Sequence, residues 1–267
     1  MRLASLHLYP FKGGHRVDVA EAMVEPWGLA GDRRWFPVEP DGTMISQREL
    51  PILTQIQPTL TPGGIRLAAP GHPDLLVPEA AGDYVEVQVW ASRFKASPGG
   101  AEADAWLSAV AGRPLRMMWM DDPSRRPVDP RYANPGDTVS SADGFPLLLT
   151  NTASMAALND WIIEGGGEPL PMNRFRPNVV VDGARAWAED GWVGRRIRIG
   201  DVVFRMPKPC ARCVLTTNDQ ETGERGREPL RTLARYRNVD QKLLFGMNLI
   251  PDGTGVLRTG DPVELLD

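Results

Sequence analysis

Short segments with a two-residue apolar period, separated by glycine and proline turns, constrain the fold of this chain more than any other feature. Val85, Val87 and Val89 alternate with polar or bulky neighbours, which is the pattern of a strand with one buried face. Turn sequences such as residues 62–64 interrupt the pattern at short intervals. Strands are therefore predicted at residues 2–9, 16–24, 35–38, 53–60, 64–68, 84–90, 94–96 and 115–120.

The rest of the chain alternates strand-like segments with a few helices. Residues 101–110 and 154–163 carry apolar side chains at helical spacing and are followed by glycine. Residues 230–235 follow a proline that suits a first helical turn. Further strands are predicted at residues 175–181, 196–199, 202–206, 213–217, 243–250, 255–259 and 262–266.

These elements predict a mainly β fold with a few helices, whose strands form closed or highly curved, β-barrel-like sheets. A proline-rich and charged loop covers residues 121–141, and the boundary between two parts of the chain is expected at its start. The sequence therefore predicts two β-rich domains, residues 1–119 and 120–267.

Composition and charge disfavour several classes of protein. Hydrophobic residues make up 42% of the chain and charged residues 24%, so the chain can bury a large core. A net charge of −4 argues against general nucleic-acid binding, which needs a basic face. No apolar run approaches the roughly 18 residues that span a membrane, and the first residues lack the pattern of a signal peptide. We therefore expect a cytoplasmic protein that binds neither nucleic acid nor membrane.

Cys210 and Cys213 are the only two cysteines in the 267 residues. Four explanations are open: half of a zinc site, a redox dithiol, one thiolate that holds another soft metal, and two inert packed side chains. Zinc needs four ligands, and the three histidines are isolated in the sequence. A redox dithiol would open a helix, whereas the β-type run after Cys213 predicts a strand.

The residues around this pair resemble the signature of the MOSC family. The segment Pro209-Cys210-Ala211-Arg212-Cys213-Val214-Leu215-Thr216-Thr217 and the turn after it are most similar to the branch of the mitochondrial amidoxime-reducing components and their bacterial relatives. Other matching segments follow the order of the family, at residues 8–14, 31–35, 126–132, 142–149 and 173–181. The resemblance implies that the second domain is a MOSC-type β-barrel. It also implies that Cys213, and not Cys210, is the catalytic residue and the protein ligand to the metal of a molybdenum cofactor.

The resemblance further implies which residues of the first domain contact this cofactor. The positions that contact its phosphate end are matched by Lys12, Gly13 and Arg33. Gly13 stands where the family has a serine, so the hydroxyl contact is lost or is replaced by a backbone N–H contact. Without the resemblance, Lys12 is interpreted as an exposed loop lysine and Arg33 as a partner of the preceding aspartate. Arg34 is expected to face solvent by strand alternation. With these contacts in one domain and the metal ligand in the other, the cofactor is expected between the domains.

Four residues of the second domain are also implied as cofactor contacts. Arg176 and Asn178 are two apart on a predicted strand, hence on one face, and Pro177 between them indicates a sheet edge or a bend. The alternative for this pair is a charged edge that discourages aggregation. Thr150 and Asn151 are expected near the polar edge of the pterin, with a helix cap as the alternative role of Asn151.

The activity implied by the resemblance is the reduction of amidoximes, hydroxylamines and N-hydroxylated bases by oxygen-atom abstraction at the cysteine-ligated molybdenum. The electrons are expected from a separate donor: a ferredoxin, a flavodoxin, or a cytochrome b5-like protein with its reductase. No cysteine follows Cys213 to bind an iron–sulfur cluster, and no dinucleotide-binding motif is present. Two alternatives use the same cysteine: a non-catalytic carrier of the molybdenum cofactor, and a sulfur carrier with a persulfide on Cys213.

Overall fold

The computed structural model describes residues 1–79 and 82–267, and this part of the chain is mainly β, as predicted. The strands are β1 (Arg2–Leu8), β2 (Val17–Val19), β3 (Glu21–Glu25), β4 (Gly28–Leu29), β5 (Trp35–Val38), β6 (Gln57–Thr61), β7 (Gly64–Ala69), β8 (His72–Pro78), β9 (Val85–Val89), β10 (Ser92–Pro98), β11 (Arg116–Trp119), β12 (Leu147–Asn151), β13 (Val179–Asp182), β14 (Arg196–Ile199), β15 (Val202–Arg205), β16 (Pro209–Ala211), β17 (Asn238–Val239), β18 (Lys242–Pro251), β19 (Gly255–Arg258) and β20 (Val263–Leu265). The α-helices are α1 (Ala101–Ala111), α2 (Thr152–Glu164) and α3 (Leu230–Tyr236), and 3-10 segments cover Pro51–Gln55, Pro123–Arg125, Met172–Phe175, Ala188–Trp192 and Val214–Thr217. None of the described helices is long and apolar enough to cross a membrane.

The largest sheet joins the two ends of the chain. Eight of its ten strands follow the order β2-β1-β13-β12-β18-β15-β14-β20, and β16 and β17 each pair with β18. Strand β1 is antiparallel to β13, and β12 is parallel to β13. Alternate side chains point to one face of the sheet, where Leu6, Val179 and Leu249 belong to a continuous buried core. The first strand thus completes the sheet of the C-terminal half. The division into residues 1–119 and 120–267 stays a prediction.

Strands β5 to β11 form a second group of sheets. Strands β5, β11, β10 and β9 form one sheet, and β6, β7 and β8 form another. Helix α1 contributes Trp106 and Leu107 to a core shared with Trp35 and Ile65. The helix ends at Gly112, whose φ of 68° closes the last turn in the left-handed conformation, in agreement with the sequence.

One predicted strand, residues 213–217, is wrong. The chain forms the 3-10 segment Val214–Thr217 there. The hydroxyls of Thr216 and Thr217 donate to backbone carbonyls three residues earlier, over 2.9 and 2.7 Å. Such local bonds offer the backbone an alternative to a sheet ladder, and the chain forms a turn directly after the cysteine.

A second predicted strand, residues 175–181, begins four residues later than expected. Phe175 closes a 3-10 segment and Arg176 has a left-handed φ of 54°, so the strand starts only at Val179. Pro177 cannot donate to a ladder, which is consistent with this late start. Arg176 and Asn178 therefore do not share the face of a strand; they lie in the bend that the proline indicated.

Candidate functional site

A cavity of about 140 Å³ lies where the two halves of the chain meet. Its walls come from the loop after β1, the loop before the segment Pro51–Gln55, the stretch that enters β12, the bend before β13, and β16 with the turn that follows it. Six predicted site residues line it: Lys12, Gly13, Arg33, Arg176, Asn178 and Cys213. Other polar lining residues are Ser46, Gln47, Arg48, Asp143, Cys210, Arg212, Thr216 and Asn248.

The cavity is electropositive. Among its described lining residues Asp143 is the only carboxylate, against five cationic side chains, which are Lys12, Arg33, Arg48, Arg176 and Arg212. Like charges brought together in a partly buried site are unfavourable unless an opposite charge balances them. The donors therefore suit an anion, and the planar guanidinium groups suit a phosphate in particular.

Lys12 is buried in the cavity wall and not an exposed loop lysine. Its side chain is 7% exposed, and Nζ donates to the Asp143 carboxylate over 2.8 Å. Burial lowers the pKa of Lys12 to about 8, although Asp143 opposes the shift. Partial desolvation by the cavity walls raises the pKa of Asp143, but Lys12 and Arg48 outweigh this effect and lower that pKa below its usual range. The Asp143 side chain is 57% exposed, so water screens the pair.

Arg33 lines the cavity while it is paired with the preceding residue. It donates to Asp32 and, over 3.1 Å, to the side-chain oxygen of Asn178. Asp32 is 1% exposed and also accepts the backbone N–H of Tyr9 over 2.8 Å. A buried carboxylate needs such donors, so the Asp32–Arg33 pair stabilises the fold as well as shaping the cavity.

Arg176 forms the adjacent part of the wall. Its Nη1 donates to the backbone oxygen of Gly14 and to Oε1 of Gln220, each over 2.8 Å, and its guanidinium lies 4.1 Å from the ring centroid of Tyr9. Burial lowers the pKa of Arg176 to about 10 and raises the pKa of Tyr9 to about 12. Arg176 is therefore charged at neutral pH. Gln220 belongs to the turn after the cysteine signature. Because Arg176 bonds both Gln220 and Gly14, it connects this turn to the first half of the chain.

Cys213 lies immediately before the turn Val214–Thr217, beside Arg48. The Nε atom of Arg48 is 3.2 Å from the sulfur, and its guanidinium lies 4.1 Å from the ring centroid of Trp90. An arginine donor stabilises negative charge on an acceptor, and the thiolate is the form of cysteine that binds metals. The N-terminal half of the chain thus positions a cation at the sulfur of the C-terminal half.

Cys210 also lines the cavity, but it contacts a different arginine. Arg212 donates to the Cys210 sulfur over 2.9 Å and to the backbone oxygen of Phe175 over 2.6 Å. Both cysteines are free thiols. In the described ranges, no three His, Cys, Asp or Glu side chains converge as a metal site, so a zinc site with four protein ligands has no ligand set there.

Two predicted site residues are not in the cavity lining. Asn151 caps α2 by accepting the N–H of Ala153 over 3.1 Å, and its amide donates to the backbone oxygen of Arg185 and to Glu189. This is the helix-cap role that the sequence left open. Thr150 is fully buried in β12, and its hydroxyl has no partner among the described residues.

The prediction that Arg34 faces solvent is wrong. Its side chain is 11% exposed; it donates to the backbone oxygens of Met120 and Asp121 over 2.7 and 2.8 Å. Its guanidinium also lies 4.7 Å from the ring centroid of Trp119. The preceding Arg33 has a φ of 49°, which breaks the strand alternation on which the prediction depended.

Arg48, Asp143 and Trp90 were not predicted as site residues from the sequence, although all three line the cavity. Asp143 lies in a segment that resembles the family, yet nothing local marks it as the partner of a buried lysine. Arg48 and Trp90 lie far from the cysteines in the sequence and carry no motif. Long-range folding alone brings them to the cavity, so no local signal could have identified them.

The buried Lys12 should make anion binding depend on pH. Since its pKa in the anion-free cavity is about 8, we expect the affinity for sulfate, whose charge is constant, to fall as the pH rises through that value. The rise in thermal midpoint caused by sulfate measures this affinity. In Lys12→Met the affinity should be lower and nearly independent of pH across the same interval.

The lowered pKa of Lys12 also predicts how the stability of the anion-free protein changes with pH. The pKa of Lys12 in the fold lies below its ordinary value of 10.5, so between the two values the unfolded chain binds more protons. The wild type should therefore gain stability relative to Lys12→Met as the pH rises through this window. Identical pH profiles for the two proteins, with and without sulfate, would contradict the burial of a charged Lys12.

Two family models and several known proteins match nearly the whole chain. The family model for the MOSC N-terminal beta barrel domain matches residues 1–114, and the MOSC domain model matches residues 136–264. The chain is 32% identical to the human mitochondrial amidoxime-reducing component 1, over 99% of this chain and 82% of that protein. The mouse protein is 31% identical over similar shares.

Human molybdenum cofactor sulfurase is also similar, at 31% identity over 93% of this chain but only 30% of its own length. The amidoxime-reducing components and the sulfurase thus each align with more than nine tenths of this chain. The family matches cover both halves that enclose the cavity. The chain therefore belongs to the MOSC family.

Proposed function

We propose that this protein is a molybdenum-cofactor-dependent reductase of N-hydroxylated compounds, among them amidoximes, hydroxylamines and N-hydroxylated bases. The observation that carries the proposal is the position of the Cys213 thiol beside Arg48, in a cavity lined by five cationic side chains and one carboxylate. A group that is anionic and brings its own sulfur ligands complements both features. The names of the relatives support the same class of activity.

The lining residues fit a molybdenum cofactor by their chemistry. Lys12 and Arg33, with the backbone at Gly13, would hold its phosphate, since charged and bidentate donors suit that group. Arg176 and Asn178 would contact the remaining polar edge, and Cys213 would be the metal ligand. When bound, the cofactor supplies the oxygen-accepting, two-electron chemistry that no side chain of the protein can provide.

The side chains of the cavity would orient the cofactor and neutralise its negative charge. Arg48, fixed against Trp90 and 3.6 Å from Asp143, would hold the Cys213 sulfur towards the cavity. Asp143 would keep Lys12 protonated until the phosphate replaces it as the partner. The net reaction consumes two electrons and two protons for each N–OH group converted to N–H, and it releases one water.

The electrons would come from a separate donor protein, such as a ferredoxin, a flavodoxin, or a cytochrome b5-like protein with its reductase. A small N-hydroxylated substrate would reach the cavity from solvent. Location in the cytoplasm and the absence of nucleic-acid or membrane partners remain predictions from the sequence.

A sulfur carrier, or a non-catalytic carrier of the cofactor, is the second candidate. The similarity to molybdenum cofactor sulfurase favours it, and so does the arginine donor at the Cys213 sulfur, since a persulfide is also anionic. The reductase remains the better proposal because the amidoxime-reducing relatives align over 82% of their own length, whereas the sulfurases align over a third or less.

The test is an anaerobic assay with cofactor-loaded protein, benzamidoxime and dithionite-reduced methyl viologen. The proposal expects benzamidine in proportion to viologen oxidised, at two electrons per product. A cofactor-loaded protein without turnover would instead support the cofactor carrier. A protein that carries one extra sulfur on Cys213 by mass spectrometry, and reduces no amidoxime, would support the sulfur carrier.

A further inference from the structure

The segment that contains α3, residues 224–242, is basic and carries exposed cationic side chains before, within and after the helix. Residues 224–242 contain six basic and three acidic residues, a net charge of +3, in a chain whose net charge is −4. Arg227, Arg235 and Lys242 are exposed. None of the three has an ion-pair partner among the described residues, whereas the nearby Arg231 and Arg237 are paired with acidic side chains.

An apolar centre accompanies these charges. Tyr236, the last residue of α3, is 39% exposed, and Val239 in the adjoining β17 is 50% exposed. The guanidinium of Arg235 lies 5.0 Å from the Tyr236 ring centroid. An apolar centre with a charged rim is the usual anatomy of a protein interface, and small interfaces of this kind are typical of transient electron-transfer complexes.

A continuous series of packed aromatic rings connects this surface with the cavity. Tyr236 stacks on Trp161 at a centroid distance of 4.5 Å, and Trp161 stacks on Trp187 at 5.1 Å. Trp187 meets Phe245 edge-on at 6.0 Å, and Phe245 stacks on Phe175 at 3.7 Å. Phe175 lines the cavity that contains Cys213. The surface and the site are thus joined by close-packed side chains without a solvent gap between successive rings.

We propose that an acidic one-electron carrier protein docks on this α3 surface, defined by Arg227, Arg235, Tyr236, Val239 and Lys242. The inference rests on the proposed reductase function, which needs an external donor. Opposite charge on the partner would steer the encounter and raise the association rate, with strong sensitivity to salt. A carrier docked on this surface would contact Tyr236, the outer end of the aromatic series whose inner end, Phe175, lines the cavity. Two successive docking events would supply the two electrons for each N–O bond reduced.

The experiment compares two double variants of the full chain with reduced flavodoxin as the acidic carrier. Arg227→Glu/Arg235→Glu reverses two charges on the α3 surface. Lys95→Glu/Arg196→Glu makes the same change in charge at exposed positions elsewhere. Flavodoxin binding is measured by calorimetry at low ionic strength, and steady-state reduction of benzamidoxime gives the KM for flavodoxin.

The α3 variant should weaken flavodoxin binding and raise its KM by about tenfold or more, while the control variant changes both by less than about twofold. Both variants should match the wild type with reduced methyl viologen, which needs no docking surface. Equal effects of the two variants, or no effect of the α3 variant, would overturn the docking site. A wild type that reduces no amidoxime even with viologen would instead refute the reductase function, and the calorimetry would still decide the docking site.

Discussion

Replacing Cys213 by serine is expected to abolish the reduction of N-hydroxylated substrates and the binding of molybdenum together. Serine exchanges a soft thiolate for a hard, mostly protonated hydroxyl. It also removes the sulfur that Arg48 contacts over 3.2 Å. Both losses occur inside the cavity, so the fold should persist. The measurements are the molybdenum content, the rate of amidoxime reduction with reduced methyl viologen, and the urea midpoint as the control for folding.

Cys210→Ser is the matched control, because Cys210 lines the same cavity but contacts Arg212. This variant should keep its molybdenum and a sizeable fraction of the activity. Equal losses in the two variants, with no molybdenum in the wild type, would contradict the account. They would restore the redox dithiol, which needs both sulfurs.

Arg33→Ala should produce the largest loss of stability among the cavity variants. The substitution leaves Asp32, which is 1% exposed, without its cationic partner. Removing one member of a buried ion pair costs about 3–5 kcal/mol of unfolding free energy. Urea unfolding of the cofactor-free protein measures this cost, and cofactor retention should fall as well, because a cationic donor to the phosphate is lost.

A second substitution separates the two effects. Asp32→Asn keeps an oxygen acceptor for the backbone N–H of Tyr9 but removes the buried charge. The double variant Asp32→Asn/Arg33→Ala should therefore recover much of the stability and none of the cofactor retention. If Arg33→Ala alone is as stable as the wild type, the buried Asp32–Arg33 pair does not stabilise the fold. If the double variant retains the cofactor, Arg33 is not a phosphate contact.

The mainly β fold was predictable from the sequence because a two-residue period is a local property of each segment. Val85 to Val89 is a strand in the structure, with Val87 and Val89 buried, and the end of α1 follows from Gly112. Helix α2 begins at Thr152, two residues before the prediction, because Asn151 caps it. Local signals of this kind do not depend on the rest of the fold.

The errors arise where a few hydrogen bonds or one backbone angle override such local patterns. The threonines after Cys213 have high strand propensity, yet their hydroxyls bond to the backbone and form a turn. Arg34 was expected at the surface, but a left-handed φ at Arg33 directs it inward. These outcomes depend on conformations that propensity alone does not specify.

Part of the candidate site likewise could not be predicted from local sequence patterns. The position of Cys213 followed from a motif, whereas its contact with Arg48 joins residues 165 positions apart. The ion pair between Lys12 and Asp143 spans 131 positions. Pairing of β1 with β13 is what brings the loop containing Lys12 to the second half of the chain. Such contacts are set by sheet topology, which a single sequence does not encode locally.

The most direct test of the account is the metal and pterin content of the wild-type protein, purified from a host that makes the molybdenum cofactor. Metal analysis by mass spectrometry and pterin analysis after oxidative release give the two stoichiometries. We expect close to one molybdenum and one pterin per chain in the wild type, smaller amounts of both in Lys12→Met, and no molybdenum in Cys213→Ser. A wild-type protein that carries neither molybdenum nor pterin under these conditions would contradict the assignment of Cys213 and its electropositive cavity to the molybdenum cofactor.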